Sequence, residues 1–361
     1  MKPTQKLHDL GQSLWVDNIT RGMLTSGTLK RYIDELSVTG LTSNPTIFDH
    51  AIKKSNFYDD AIRTKAQAGL EGEALFFELA LEDLTQAADL FRGVHDATRG
   101  VDGFVSLEVS PLLAYDTAKT IAAAKDLHGR AKRPNLFIKI PGTPEGLPAI
   151  EEAIFAGVPI NVTLLFSREH YLGAAEAYLR GLERRAAAKL PLDVASVASV
   201  FISRWDKAVM GKVPETLRNR LGIAIAYRTY KAYRDLLATP RWQQLAAAGA
   251  KPQRLLLAST GTKDPQASDV MYIGALAAPD TVDTMPEETL LAFADHGTVD
   301  GVMPPDGGDC EAVLAEFGRA GIDVAALAAT LQKEGAESFN ASWNELITCL
   351  ADKRSTLRQA S

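Results

Sequence analysis

Short apolar runs alternate with amphipathic stretches along most of the chain. The runs are SLWVDNI (13–19), VTGLTSN (38–44), GFVSLEV (103–109), NLFIKIP (135–141), PINVTLLF (159–166), VASVFIS (197–203), RLLLAST (254–260) and the weaker DTVDTM (280–285). Between them, segments 75–94, 114–130, 168–188 and 223–239 carry apolar residues at helical spacing. Short Val/Ile/Leu-rich strands alternating with helices predict parallel βα units. Eight such strands over about 250 residues fit a closed (β/α)8 barrel. A doubly wound sheet is disfavoured, because no GxGxxG or GxxxxGK[ST] fingerprint follows the first strand or occurs anywhere. Beyond the eighth run, the turn VMPPDGGD (302–309) precedes two helical patterns, 310–335 and 337–354. The expected architecture is one barrel domain over 1–361, with additional helices at both ends and a C-terminal helical extension at about 310–355.

Several strands are interrupted by polar residues. Lys139 sits among Leu136, Phe137, Ile138 and Ile140, where a lysine must reach out to water, pair with a carboxylate or serve a site. Asp17, Glu108, Asn161 and Ser199 interrupt four other runs in the same way. One such residue is usually a satisfied core group, but five on different strands are costly to bury unless they share a site. In a barrel, side chains from several strands converge at the C-terminal strand ends. Thr42, Ser43, Asn44, Thr163, Ser203, Arg204, Ser259, Thr260 and Lys263 lie within or just after the runs and join the candidates. A lysine attacks a carbonyl only as the neutral amine, and the resulting imine needs proton transfers. Glu108 and Asp17 are the available acid/base groups, with Asn44, Asn161 and Thr163 as donors and acceptors. This set matches Schiff-base chemistry.

Composition narrows the alternatives. The 361 residues carry a net charge of −6, so no basic surface for nucleic acid or anionic lipid is implied. No apolar run approaches membrane-spanning length, and the N-terminus lacks the basic start and apolar core of a signal peptide. Cys310 and Cys349 are far apart, with no CxxC spacing. A soluble cytoplasmic protein with reduced thiols is expected. His8, His50, His95, His128, His170 and His296 all fall outside the strand runs, with no HxH or HxxxH pair. A metal-dependent aldolase or phosphatase needs clustered ligands, so neither metal nor other cofactor is expected. A non-catalytic sugar-phosphate binder would not need Lys139 together with acid/base partners. The pattern assigns no oligomeric state.

The segments LTSNPTIF (41–48), SLEVSP (106–111), FIKIPGTPEG (137–146), INVTLLFS (160–167), FISRWD (201–206) and ASTGTK (258–263) resemble, in order and one per strand, the signature segments of the transaldolase family. TMPEETL (284–290) is similar to its last one, and the longer bacterial branch is the nearest likeness. The resemblance spans roughly residues 10 to 350. It implies a (β/α)8 barrel that transfers a dihydroxyacetone unit from sedoheptulose 7-phosphate or fructose 6-phosphate to an aldose phosphate, in the pentose phosphate pathway. By the same resemblance, Lys139 forms the Schiff base, Glu108 and Thr163 handle protons through a water, and Asp17 assists carbon–carbon cleavage. Asn44, Asn161 and Ser199 would hydrogen-bond the dihydroxyacetone part, and Phe201 would shape the pocket. By position in the barrel, Arg204 after the sixth strand and Ser259 after the seventh lie in the neighbourhood where phosphate is often held. Shorter members carry an arginine soon after that serine. Here Lys263 stands as the candidate cation.

Overall fold

The computed structural model describes residues 1–359. Eight parallel strands close into a barrel in sequence order. They are β1 (Ser13–Val16), β2 (Val38–Leu41), β3 (Val105–Glu108), β4 (Leu136–Pro141), β5 (Ile160–Leu165), β6 (Ser196–Phe201), β7 (Gln253–Ala258) and β8 (Val282–Met285). Pairing of β8 with β1, from Ser13 opposite Val282 to Val16 opposite Met285, closes the ring. Each strand is shorter than its apolar run or shifted by a residue or two. The polar ends of the runs, such as Asp17-Asn18 and Thr42-Ser43-Asn44, belong to the loops that leave the barrel mouth.

Side-chain alternation sorts the strands into two apolar clusters. Leu14, Val16, Leu107, Ile138, Ile140, Val162, Val200 and Leu257 face outward under the helices. Trp15, Phe137, Val197, Leu256 and Val282 face inward. The inward residues fill the N-terminal half of the barrel, where Phe104 stacks on Phe137 at 4.1 Å. Gly40 of β2 makes room for this filling, because a Cβ there would lie 2.6 Å from both the Trp15 indole nitrogen and Phe104 O. Continuing each inward row one step toward the mouth reaches Asp17, Thr42, Glu108, Lys139, Asn161 or Thr163, Ser199 and Thr284. The polar interruptions are thus the upper layer of the barrel interior.

Two features depart from the expected pattern. The helical tail does not break near residue 336. Its first helix, Cys310–Arg319, ends at Ala320 and Gly321, where φ is +87°, and a single helix then runs Val324–Gln359. Gly335 sits inside that helix because it crosses the barrel mouth closely: a Cβ there would meet Leu164 Cδ2 at 2.9 Å and Arg204 Nη1 at 3.2 Å. The helix is tied down by Gln332 Nε2, which donates to Gly142 O at 3.1 Å and Leu164 O at 3.0 Å, and by Lys353 on Asp59 at 2.7 Å. Secondly, β5 carries an irregularity between Val162 and Leu165, with Leu164 at φ +59°. This bulge turns both Thr163 and Leu164 inward. Among the described residues, no helix is long and apolar enough to cross a membrane. Cys310 and Cys349 are free and buried.

Asp283 of β8 is fully buried, accepts a hydrogen bond from Thr260 Oγ1 at 2.7 Å and leaves its other oxygen unpartnered among the described residues. Burial raises its pKa to about 7. The unfolded chain loses this proton near pH 4 while the folded chain holds it to about pH 7, so unfolding releases a proton in that window. Stability from this group is therefore full below about pH 4 and lost as pH rises through about 7. Asp283→Asn should remove that slope. Urea unfolding at pH 5 and pH 8 should show the variant gaining about 2 kcal/mol on wild type across the interval. A difference that stays constant with pH would refute the assignment.

Candidate active site

Strand register determines which polar groups meet. Glu108 on β3 pairs with Lys139 on β4, and Lys139 pairs with Asn161 on β5. The three therefore stand side by side on the inner wall. Lys139 is 5 % exposed and Glu108 4 %. Lys139 Nζ lies 3.3 Å from Glu108 Oε2 and donates to Ser43 O at 3.2 Å. Its remaining side faces the ring of Phe339, 5.7 Å to the centroid. Neither oxygen of Glu108 nor Thr163 Oγ1 has a hydrogen-bond partner among the described residues. Buried polar atoms are rarely left so, and these flank the amine on the neighbouring strands. Burial pushes the Glu108 carboxyl above its ordinary range, against the opposing pull of Lys139.

Asp17 stands just beyond the end of β1. Its Oδ1 accepts from Thr42 Oγ1 at 2.7 Å, and Thr42 in turn shares a 2.7 Å contact with Thr284 Oγ1. Asp17 is half-buried and lines the cavity. Burial raises its pKa, with the Lys139 charge the strongest opposing influence and the Thr42 bond next. The Asp17 charge is also among the causes that raise the Glu108 carboxyl.

Asn44 caps the helix Pro45–Lys53: its Oδ1 accepts from Ile47 N at 3.1 Å, leaving the amide NH₂ for the cavity. Asn161 is fully buried, donates to Ser106 Oγ at 3.1 Å and accepts from Ser199 Oγ at 2.7 Å. Arg204, from the short helix Ser203–Val209, lies over the rings of Phe201 (5.0 Å) and Phe339 (5.9 Å). Desolvation pulls its guanidinium below the ordinary value, opposed by the charges of Asp17, Glu108 and Glu334. The neighbouring Asp206 is occupied elsewhere, accepting from Leu221 N, Gly222 N and Tyr272 Oη, so it does not neutralise Arg204. Ser259 adopts φ +57° directly after β7 and contacts Ser203 Oγ at 2.9 Å.

A cavity of about 130 Å³ unites Asp17, Asn44, Lys139, Thr163, Ser199, Phe201, Arg204, Ser259 and Lys263. Glu108 and Asn161 stand behind its wall and reach it through Lys139 and Ser199. Thr42, a strand-end candidate, also lines it, as do Thr284, Pro286 and Phe339, which were missed as site residues in the sequence. Thr284 could have been found from inward parity. Phe339 carries no such signal: an apolar residue in a helical pattern reads as core. Among the described residues, no group of three or more His, Cys, Asp or Glu side chains is arranged to hold a metal.

The family described as transaldolase/fructose-6-phosphate aldolase matches residues 14–350. The chain belongs to that family. Proteins named transaldolase align over nearly their full lengths. One from Parafrankia sp. (strain EAN1pec) is 45% identical over 362 residues, covering 98% of each chain. One from Arthrobacter sp. (strain FB24) is 44% identical, covering 99% of each. A third, from Thermobifida fusca, is 43% identical over 97% of this chain and 98% of its own. The closed parallel barrel and the family membership agree with the resemblance of the signature segments. In this member of the family, those segments supply most of the cavity, while the C-terminal helix supplies its lid through Phe339.

Proposed function

We propose that this chain is a transaldolase that moves a dihydroxyacetone unit between sugar phosphates through a Schiff base on Lys139. The observation that carries the reading is a buried lysine amine 3.3 Å from a buried carboxylate with raised pKa, at the base of a small polar cavity. Lys139 Nζ attacks the donor ketone, and the carbinolamine loses water as protons pass between it, Glu108 and a water held by Glu108 and Thr163. Asp17 takes the proton of the hydroxyl beyond the scissile bond, so the carbon–carbon electron pair moves toward the iminium nitrogen and an aldose phosphate departs. The enamine then attacks an acceptor aldehyde, and hydrolysis frees Lys139. Asn44 and Ser199, the latter oriented by Asn161, hydrogen-bond the three-carbon unit, and Phe201 closes one side. The whole chain acts as one barrel with its C-terminal helical extension, in the cytoplasm and the pentose phosphate pathway, without metal or other cofactor. Borohydride reduction with fructose 6-phosphate, followed by peptide mapping, tests the intermediate. Product formation with and without an acceptor aldehyde phosphate separates transfer from simple aldol cleavage.

Arg204, Ser259 and Lys263 form the phosphate end of the reading. Arg204→Ala should raise KM for phosphorylated substrates by about tenfold or more, because a charge-assisted contact is lost. An unphosphorylated dihydroxyacetone donor should be affected far less. Equal loss on both kinds of donor would assign Arg204 a structural role instead.

A further inference from the structure

The cavity at Lys139 is small, about 130 Å³. A phosphorylated sugar joined to Lys139 extends through it toward Arg204, Ser259 and Lys263, which also line it. Past Arg204, Ser259 and Lys263 the site continues into a second cavity of about 610 Å³. Its outer part is lined by Lys207, Met210, Lys212 and Leu331, and Glu334 is the sole carboxylate among its lining residues. Four cations therefore face one space in a chain whose net charge is −6. Ion pairs nearby are made by other residues, such as Arg218 with Asp264 at 2.5 Å, and among the described residues none of the four cations has a carboxylate partner. Lys212 donates to Ala208 O at 2.8 Å, which leaves ammonium hydrogens free for a ligand. Burial is the main cause that holds the Lys263 ammonium below its ordinary range; Glu288 opposes it, and Lys207 and Arg204 add to it. Glu334 and Glu288 offset only part of this positive charge, and a bound anion would relieve the rest.

Position divides the four. Arg204 and Lys263 stand at the junction with the inner cavity, whereas Lys207 and Lys212 line only the outer one. Arg204 is confined by the rings of Phe201 and Phe339, so it addresses one location. Lys207 follows three residues later on the same short helix and so shares its face. Each carbon added to an aldose phosphate moves the phosphate outward by about 1.5 Å of bond length, so two added carbons shift it by about 3 Å. A lysine on a flexible stem can follow such a shift as a point charge. We infer that Lys207 and Lys212 form an outer anion subsite that receives the phosphate of longer aldose phosphates and so sets acceptor-length preference. The inference rests on the Schiff-base transfer reading above.

The test compares acceptors that differ only in length. With fructose 6-phosphate as donor, kcat/KM is measured for D-glyceraldehyde 3-phosphate and D-ribose 5-phosphate in wild type and in the Lys207→Gln/Lys212→Gln double variant. The ratio of five-carbon to three-carbon kcat/KM should fall about tenfold in the variant, and the loss should shrink at high salt. Lys333→Gln, on the same C-terminal helix but outside the cavity lining, should leave the ratio unchanged. An unchanged ratio in the double variant, equal loss on both acceptors, or a wild type inert toward the five-carbon acceptor would each overturn the subsite. Borohydride trapping of wild type with the donor alone keeps the two readings apart. Failure to trap at Lys139 overturns the Schiff base and the subsite with it, whereas normal trapping with an unchanged ratio overturns the subsite alone.

Discussion

Lys139→Arg is expected to abolish transfer, with kcat reduced by at least about 10⁴-fold, the scale on which removing a covalent nucleophile usually acts. A guanidinium remains charged at any working pH and offers no lone pair to a ketone. The substitution keeps a cation beside Glu108, so loss of activity would not follow merely from leaving that buried carboxylate unpaired. Arginine is larger than lysine and the cavity is only about 130 Å³, so Lys139→Gln serves as the smaller companion. It should be equally inactive. The measurement is twofold: turnover of fructose 6-phosphate with an acceptor aldehyde, and intact mass after borohydride reduction. Wild type should gain the mass of a reduced three-carbon or hexose adduct on the FIKIPG peptide, and both variants should gain none. Label on Lys263 in wild type, or turnover above a few per cent of wild type in either variant, would sink the mechanism.

The interior layer of the barrel was legible in the sequence because a strand alternates its faces. Asp17, Glu108, Lys139, Asn161 and Ser199 each occur where an apolar residue would otherwise complete a strand, and the register brings Glu108, Lys139 and Asn161 level. The lid was not legible. Gly335 read as a helix end, since glycine is unfavourable within a helix, yet it is retained where the helix passes within contact of Leu164 and Arg204. Phe339 lies two hundred residues from Lys139 in the sequence, and only the path of the helix brings its ring over the amine. The bulge that turns Leu164 inward beside Thr163 was also hidden, because Leu164 is a poor residue for φ +59° and no glycine marks the turn. Asn161 shows a subtler limit. Its inward direction was readable, but its full burial behind Ser199 follows from the hydrogen bond between them.

Glu108→Gln and Asp17→Asn are expected to stall the reaction at different steps. Imine formation requires water to leave the carbinolamine beside the amine, where Glu108 Oε2 lies 3.3 Å from the nitrogen and Thr163 Oγ1, on the neighbouring strand, has no hydrogen-bond partner among the described residues. Cleavage requires a base farther along the bound sugar. Asp17, just beyond the end of β1, faces the same cavity and is oriented by Thr42, itself held by Thr284. Burial raises both carboxyls above their ordinary range, the direction that suits a general acid/base. Glu108→Gln should therefore slow borohydride trapping with fructose 6-phosphate by about 10²- to 10⁴-fold, the usual cost of losing a general acid/base. Asp17→Asn should trap at close to the wild-type rate. Its adduct should be the intact six-carbon sugar rather than the three-carbon unit, because the carbon–carbon bond has not broken. Multiple-turnover transfer should be depressed by a similar factor in both. The mass of the trapped adduct decides between the roles. A three-carbon adduct on Asp17→Asn, or trapping as slow as in Glu108→Gln, would show that one carboxylate serves both steps while the Schiff base itself stands.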